Sequence, residues 1–303
     1  MRPPPAPADD RAEARAAHRP ASLHLLEAVI AEPVLLDHFA VGVQSIDEAL
    51  ARVRRDAGGR EVARFTERSW RGAQAAFAGG IRLEALEPID NPDDDFLVRF
   101  LEHNGQGPHH FTFKVPDIEN RISRLRGLGI EPVKINLSDP NWQECFLHPK
   151  LGLGAVIQLA QPGGIWTAER EPEPADGTLI EAEFLGAELR CSDPATAETV
   201  FSRVLDGQAH PAEGGVAYSW PGSGTLVVRP TDGRAMVEAV VFRILSLPPG
   251  RDLPERDGLL YDGPTKVLSI GAGEAWPAAE AATDEAPAEP GAAGDLPLES
   301  LLP

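Results

Sequence analysis

The chain contains the segment His38-Phe39-Ala40-Val41-Gly42-Val43-Gln44-Ser45-Ile46 and, 72 residues later, the segment His110-Phe111-Thr112-Phe113-Lys114-Val115-Pro116-Asp117-Ile118. Each segment opens with His-Phe, alternates in the manner of a strand and runs into a helix start. A second pair of segments, residues 81–88 and 155–162, closes the two units and is separated by 74 residues. A duplicated unit places equivalent side chains about a pseudo-twofold axis. The repeat therefore predicts that four polar residues converge: His38, Glu84, His110 and Gln158.

The chemistry of these four side chains indicates a metal site. Two imidazoles, one carboxylate and one amide oxygen are ligands for a divalent ion, and Zn, Co, Ni, Mn and Fe all remain open. A single histidine at the start of a strand is more often a half-buried packing residue. Here both repeats carry one, and each is matched by a polar residue on an otherwise apolar last strand. Burial of those polar groups costs free energy without a partner, which favours the metal site.

The repeated unit is predicted to be a βαβββ module. The first module spans about residues 35–90 and the second about residues 109–161. Together they predict an α+β fold in which paired modules form a curved mixed-sheet half-barrel with a cleft. Strand alternation places His109 on the opposite face of its strand from His110.

The pattern returns in weaker form after residue 178. Residues 179–273 are predicted to form a second, degenerate paired-module domain. The positions equivalent to the two histidines are Gly186 and Ala239, which carry no ligand atom in their side chains. No metal is therefore expected in this half, which would act as a structural partner, a lid or an interaction surface.

The remaining segments are predicted to be connections and tails. Residues 1–20 and the acidic residues 274–303 are expected to be disordered, because their composition cannot bury a core. Residues 21–165 would form the first domain, and the Pro- and Glu-rich residues 166–178 would be a linker.

Composition excludes several classes of protein. The formal charge of −19 argues against nucleic-acid binding, which depends on cationic groups. No apolar run approaches 18 residues, so no membrane span is expected. The N-terminus lacks the apolar stretch of a signal peptide. The two cysteines, Cys145 and Cys191, are typical of reduced thiols in a cytoplasmic protein.

Two motifs carry a resemblance to a known family. Gly107-Pro108-His109-His110 precedes Asp117-Ile118, and Phe146-Leu147-His148-Pro149-Lys150 precedes Gly154-Ala155-Val156-Ile157-Gln158-Leu159. Both resemble the vicinal oxygen chelate superfamily, which includes glyoxalase I, methylmalonyl-CoA epimerase, extradiol dioxygenases and bleomycin-resistance proteins. The epimerase-like branch is the most similar. The resemblance covers roughly residues 36–162.

The resemblance implies roles for individual residues. Metal ligands in the superfamily come from the first and last strands of each module, which again gives His38, Glu84, His110 and Gln158. Gln158 departs from the acid most often found there, although the family tolerates Gln at an equivalent place. A catalytic acid is also implied on the middle strands of the first module, where Glu67 is the nearest candidate. Glu84 could act as both ligand and base.

The resemblance leaves three functions open. The first is a metal-dependent isomerase or epimerase, or a glyoxalase-type lyase, that removes a proton next to the carbonyl of a small-molecule carbonyl or thioester substrate. The second is an Fe(II) extradiol-type dioxygenase, because two His and one Glu compose its facial triad. The third is a binding or resistance protein without catalysis. The modules could pair within one chain or between two chains of a homodimer.

Overall fold

The structure is a computed structural model that describes residues 32–89, 96–164, 177, 179–252, 257–259, 266–271 and 276. The predicted disordered tails and the predicted linker lie outside these residues, apart from Gly177 and Trp276. Within the described residues, no helix is both long enough and apolar enough to cross a membrane.

The first part of the chain forms one eight-stranded mixed sheet. Its strands are β1 (Leu35–Gly42), β2 (Arg60–Thr66), β3 (Trp70–Ala76), β4 (Arg82–Pro88), β5 (Gly107–Lys114), β6 (Val133–Asn136), β7 (Trp142–Leu147) and β8 (Val156–Pro162). Their order is β2-β3-β4-β1-β5-β8-β7-β6. β1 runs parallel to β4, β5 runs parallel to β8, and β1 and β5 pair antiparallel at the centre. This arrangement confirms the two βαβββ modules predicted from the repeat.

Three helices accompany this sheet, and their ends follow the sequence signals. They are α1 (Ile46–Ala57), α2 (Phe96–Asn104) and α3 (Ile118–Gly127). The Ser45 hydroxyl accepts a hydrogen bond from the Glu48 amide, and the Asp117 carboxylate accepts one from the Asn120 amide. Side-chain oxygens at these positions satisfy amide groups that have no partner within the helix. The same caps therefore start α1 and α3 at equivalent places in the two modules.

The second part of the chain forms a seven-stranded mixed sheet. Its strands are β9 (Glu181–Cys191), β10 (Gln208–Ala212), β11 (Gly215–Ser219), β12 (Thr225–Pro230), β13 (Met236–Ser246), β14 (Asp257–Leu259) and β15 (Lys266–Gly271). Helix α4 (Pro194–Glu198) continues into a π-helix at Thr199–Val204. The strand order is β10-β11-β12-β9-β13-β15-β14. The α+β class with a second degenerate sheet is therefore confirmed, and β10 and β14 are strands that the sequence pattern did not predict.

Aromatic side chains pack the two sheets together. The ring of Phe39 on β1 stacks on Phe184 of β9, with centroids 4.5 Å apart. The ring of Phe113 on β5 lies 4.6 Å from Trp220. These residues belong to one continuous core that includes buried side chains from both sheets. Because strand residues alternate between faces, the polar residues next to Phe39 and Phe113 point to the opposite face of the first sheet.

Gly58 offers a test of how α1 is joined to the second sheet. It ends α1 in the left-handed conformation (φ 68°), and a Cβ there would lie 1.6 Å from the backbone oxygen of Ile180. Gly58→Ala is expected to lower the free energy of unfolding by roughly 2–5 kcal/mol, since backbone strain and overpacking add. Gly80→Ala is the matched control, because Gly80 also has positive φ (87°) but open space around its Cβ. In urea unfolding, the control should lose about 1–2 kcal/mol of the free energy of unfolding. Equal losses in the two variants would contradict the predicted clash.

Candidate metal site

The four predicted ligands lie on the four central strands of the first sheet. His38 is on β1, Glu84 on β4, His110 on β5 and Gln158 on β8. All four side chains are buried. Ala40 pairs with Glu84 on one side and with His110 on the other, so the ladder brings these residues side by side. The pseudo-twofold arrangement inferred from the repeat is thus present in the structure.

Three of these side chains converge on one point. The potential ligand atoms of His38, Glu84 and His110 all lie within 4.8 Å of one another. His38 Nε2 is 3.7 Å from Glu84 Oε2, and the two imidazole rings have centroids 5.9 Å apart. Two imidazoles and a carboxylate that are buried together form a donor set suited to a divalent cation.

Gln158 reaches the same cluster through a hydroxyl group that the sequence analysis missed. The Thr112 hydroxyl donates a hydrogen bond to Gln158 Oε1 over 2.5 Å and lies 2.9 Å from His38 Nε2. Because that hydroxyl proton goes to Gln158, the Thr112 oxygen is an acceptor toward His38 Nε2 in this structure, and a metal ion at Nε2 would replace this contact. Thr112 follows His110 by two residues, so strand alternation places both on one face. That spacing is the signal that would have identified Thr112.

The His38 ring contacts a buried ion pair, which Asp37 forms with Lys114. His38 Nδ1 lies 2.7 Å from Asp37 Oδ2, and the Lys114 ammonium lies 2.8 Å from Asp37 Oδ1. Burial alone would raise the pKa of Asp37, but the hydrogen bond and charge of His38, together with Lys114, hold that pKa well below its ordinary value. Burial likewise opposes charge on His38, but Glu84 and Asp37 raise the pKa of its imidazole. Asp37 is therefore a carboxylate that orients the ring.

The predicted orientation of His109 is wrong. His109 Nδ1 lies 2.8 Å from His110 Nδ1, so the two rings are on the same side of the sheet. The reason is a β-bulge, in which β1 advances from Ala40 to Val41 while β5 skips from His110 to Pro108. An extra residue in one strand breaks the alternation locally. Burial, with a smaller effect from Lys134, lowers the pKa of His109 to about 4.

The ring of His110 is also kept neutral. Burial lowers the pKa of His110 well below its ordinary value, and the neighbouring His109 and His38 act in the same direction. A neutral imidazole is the form that binds a metal ion.

The two candidate bases occupy different environments. Glu84 lies inside the cluster, where its Oε2 accepts a hydrogen bond of 2.6 Å from the Gln74 amide. Glu67 is exposed in the turn between β2 and β3. The Trp70–Pro88 pair beside this turn is four pairs along the β3–β4 ladder from the Gln74–Glu84 pair, a distance of about 14 Å. The catalytic role of Glu67 stays a prediction.

A further carboxylate faces the site from the second module. Glu144 on β7 is half-buried, and its Oε2 accepts hydrogen bonds from Gln158 Nε2 (2.6 Å) and Trp142 Nε1 (3.0 Å). Glu144 pairs with Ala160, which is two residues beyond Gln158 and on the same face of β8. The spacing of residues along one strand does not reveal these two hydrogen-bond partners.

Helix α2 covers the face of the sheet beside the cluster. Leu97 packs on Ala40 and Leu86, and Phe96, Phe100 and Trp70 lie against them. The rings of Phe96 and Phe100 also contact His109, with centroids 5.7 Å and 4.8 Å away. An apolar wall with a few converging polar groups is the usual composition of a small-molecule site.

The geometry fits a divalent metal ion. Nitrogen and carboxylate ligands lie about 2.0–2.2 Å from such an ion, so two ligand atoms on opposite sides are at most about 4.4 Å apart. The ligand atoms here all lie within 4.8 Å of one another, so side-chain rotations would have to bring them closer around a bound ion. Both histidines use Nδ1 for a neighbouring side chain, so Nε2 is the ring nitrogen that would bind the ion, and His38 Nε2 would then give up its contact with the Thr112 hydroxyl. Hydrogen bonding of the second ring nitrogen is typical of metal-binding histidines.

The second sheet carries different residues at the equivalent positions. Gly186 pairs with Val241 as His38 pairs with Thr112, so Gly186 is at the position of His38. Ala239 pairs with Glu188 as His110 pairs with Ala40, so Ala239 is at the position of His110. The strand position equivalent to Glu84 holds Val227. The absence of a metal from this half stays a prediction.

Comparison with solved structures gives matches of limited coverage and low TM-score. Methylmalonyl-CoA epimerase from Mycobacterium tuberculosis is 25% identical, with 43% of this chain and 89% of that chain covered and a TM-score of 0.39. A Streptomyces coelicolor methylmalonyl-CoA epimerase variant is 22% identical, covering 43% of this chain and 98% of its own, with a TM-score of 0.38. A 4-hydroxymandelate synthase mutant from Streptomyces coelicolor is 12% identical, covering 71% and 72%, with a TM-score of 0.47.

Comparison with curated proteins gives no match. A family comparison does give one, and it falls on the sheet that carries the cluster. Residues 37–146 match the Glyoxalase/Bleomycin resistance protein/Dioxygenase superfamily, which confirms for this part of the chain the family that the sequence motifs indicated.

Proposed function

We propose that the protein is a metal-dependent enzyme of the glyoxalase type that removes a proton next to a carbonyl group, as an isomerase, an epimerase or a lyase. The observation that carries the proposal is the buried group of His38, Glu84 and His110, whose ligand atoms lie within 4.8 Å of one another. Burying three ionisable side chains together is costly unless a partner compensates them. A divalent cation is a partner of the right charge.

The proposed ligands are His38, Glu84 and His110, with Gln158 as a fourth. A divalent ion bound there would polarise a substrate carbonyl and favour loss of the adjacent proton. The substrate class is a small carbonyl compound or thioester, as the sequence resemblance implies. Thr112 would keep the Gln158 amide in place, since its hydroxyl bonds Gln158 Oε1.

Glu84 is the better placed of the two proposed bases. A general base must lie within hydrogen-bond reach of the proton that it removes, directly or through one water. Glu84 is part of the cluster, whereas Glu67 lies beyond the far end of the β3–β4 ladder. With Gln74 bonded to Oε2, Glu84 Oε1 is the atom proposed to take the proton.

Metal binding tests the proposal directly. Protein purified without chelators is expected to hold one divalent ion per chain, and the stripped protein should titrate one equivalent of Co²⁺. His110→Ala should abolish that binding, whereas His210→Ala should not, because His210 is exposed on β10. Elemental analysis and Co²⁺ absorbance provide the readout. Protein that neither retains nor takes up a divalent ion would overturn the proposal.

The composition of the cluster supports a second candidate, an Fe(II) extradiol-type dioxygenase. Two histidines and one glutamate are the facial triad of non-haem iron oxygenases. In the ring-cleaving members that the sequence resembles, the acid comes from the last strand of the second module. Here the second module has Gln158 at that position, and the acid, Glu84, is on the first module.

The metal and the reaction distinguish the two candidates. An isomerase or lyase is expected to exchange the acidic C–H proton of a probe in D₂O with Co²⁺, Ni²⁺, Mn²⁺ or Zn²⁺ and without oxygen use. Suitable probes are the methylglyoxal–glutathione hemithioacetal and methylmalonyl-CoA, followed by NMR. Oxygen consumption with catechol by the Fe²⁺ form alone would favour the dioxygenase.

A further inference from the structure

Each histidine of the metal cluster is preceded by the extra residue of a β-bulge. β1 advances two residues from Leu36 to His38 while β5 advances one, so Asp37 has no partner in the ladder. On β5 the same irregularity leaves His109 without a partner between Pro108 and His110. A bulge changes the direction of a side chain relative to simple alternation. The two bulges occupy equivalent positions in the two modules.

The side chain of each bulge residue meets the ring that follows it. Asp37 Oδ2 lies 2.7 Å from His38 Nδ1, and His109 Nδ1 lies 2.8 Å from His110 Nδ1. The second contact joins two ring nitrogens, so one of them must carry a proton and the other a lone pair. If His110 Nδ1 carries the proton, its Nε2 has the lone pair that a metal ion requires.

We infer that Asp37 and His109 are paired positioning residues, each of which accepts a hydrogen bond from Nδ1–H of a metal-binding histidine and so directs Nε2 of that ring toward the ion. This inference rests on the proposed metal site. It deepens that proposal by assigning the tautomer of both rings and the residues that fix it. Neither residue would touch the ion itself.

The two positioning residues are anchored in different ways. Asp37 is fixed by a buried ion pair with Lys114, 2.8 Å from its second oxygen. His109 is fixed by apolar packing, because its ring lies against Phe96 and Phe100 of α2. The two modules therefore keep the same geometry, although the ring of His38 faces a carboxylate and the ring of His110 faces a neutral imidazole. Helix α2, which covers the face of the sheet beside the cluster, is thereby connected to the orientation of His110.

The test distinguishes the effect of losing the hydrogen-bond acceptor from the effect of changing the size of the side chain. Asp37→Ala and His109→Phe remove the acceptor, whereas Asp37→Asn and His109→Asn keep an oxygen close to where the acceptor atom lies. Loss of such a contact typically lowers metal affinity about 10–100-fold. The dissociation constant for Co²⁺ is measured by absorbance titration, and thermal unfolding of the metal-free proteins checks that each variant folds.

The inference predicts that Asp37→Ala and His109→Phe weaken Co²⁺ binding about 10–100-fold, and that both Asn variants bind clearly more tightly than these. In the wild-type Zn²⁺ protein, ¹⁵N NMR should show both rings protonated at Nδ1 and metal-bound at Nε2. Unchanged affinity in the acceptor-free variants, or coordination through Nδ1, would overturn the inference and leave the metal site standing. Failure of the wild type to bind Co²⁺ would overturn both.

If one acceptor-free variant does not fold, the acceptor-free variant of the other module still tests the inference. The Asn variants keep the polarity of the site, so they are the variants expected to fold in every case. An Asn variant that binds Co²⁺ as poorly as a folded acceptor-free variant at the same position would contradict the hydrogen-bond account.

Discussion

Glu84→Ala is expected to lower the affinity for Co²⁺ more than 100-fold while the protein stays folded. Changing a residue that only supports a ligand costs about 10–100-fold in affinity, so removing the carboxylate ligand itself should cost more. The remaining donors are the two imidazoles and the Gln158 amide, which carry no negative charge. Without that charge, the ion would lose the strongest attraction in the cluster.

The fold should tolerate this change. Glu84 accepts a hydrogen bond from Gln74, whose carbonyl oxygen still accepts one from Arg82. A lost hydrogen bond of this kind costs about 1–3 kcal/mol in the free energy of unfolding. Circular dichroism and urea unfolding of the metal-free variant provide the measurement.

Two further variants make the result specific. Glu84→Gln keeps an amide oxygen, as Gln158 has, and should bind Co²⁺ with intermediate affinity. Glu61→Ala removes an exposed carboxylate from β2 and should leave the affinity unchanged. Tight Co²⁺ binding by Glu84→Ala would place the ion elsewhere and would remove Glu84 from the proposed site.

The topology of the first sheet could be predicted because the sequence repeats. Equivalent His-Phe strand openings, followed by the helix caps at Ser45 and Asp117, are local signals that each module carries twice. Once two copies of a βαβββ unit pair through β1 and β5, the polar residues on their first and last strands must come together. The family motifs pointed to the same residues.

The surroundings of the proposed metal site could not be predicted in the same way. Asp37 and His109 reach their histidines only because bulges interrupt the alternation of β1 and β5. A bulge depends on how two distant strands pair, so the spacing of residues along one strand does not reveal it. The prediction for His109 was wrong for this reason.

Packing between the two sheets was also outside the reach of the sequence pattern. The sequence does not show which residues pack against Phe184 of β9. In the structure the partner is Phe39 of the first sheet, the neighbour of His38 in the chain. The degenerate half thus supports the strand that carries a proposed ligand, although it lacks ligands at the equivalent positions.

Phe184→Ala is therefore expected to destabilise the whole protein. Phe184 is buried, stacks on Phe39 at 4.5 Å and contacts Phe242 at 5.4 Å. Truncation of a buried phenylalanine typically costs about 3–5 kcal/mol, because burial is lost and a cavity remains. Urea unfolding should show this loss in a transition that includes both sheets, since their buried side chains form one core.

Phe65→Ala on β2 is the matched control. Phe65 is only half-buried and contacts Trp70 at the edge of the first sheet, so a loss of roughly 1–2 kcal/mol is expected. Co²⁺ titration supplies a second readout, because loosening Phe39 should disturb the neighbouring His38. Phe184→Ala could instead lose less free energy of unfolding than Phe65→Ala and bind Co²⁺ normally. In that case the second sheet would not support the proposed metal site, and the first sheet would hold β1 in place by itself.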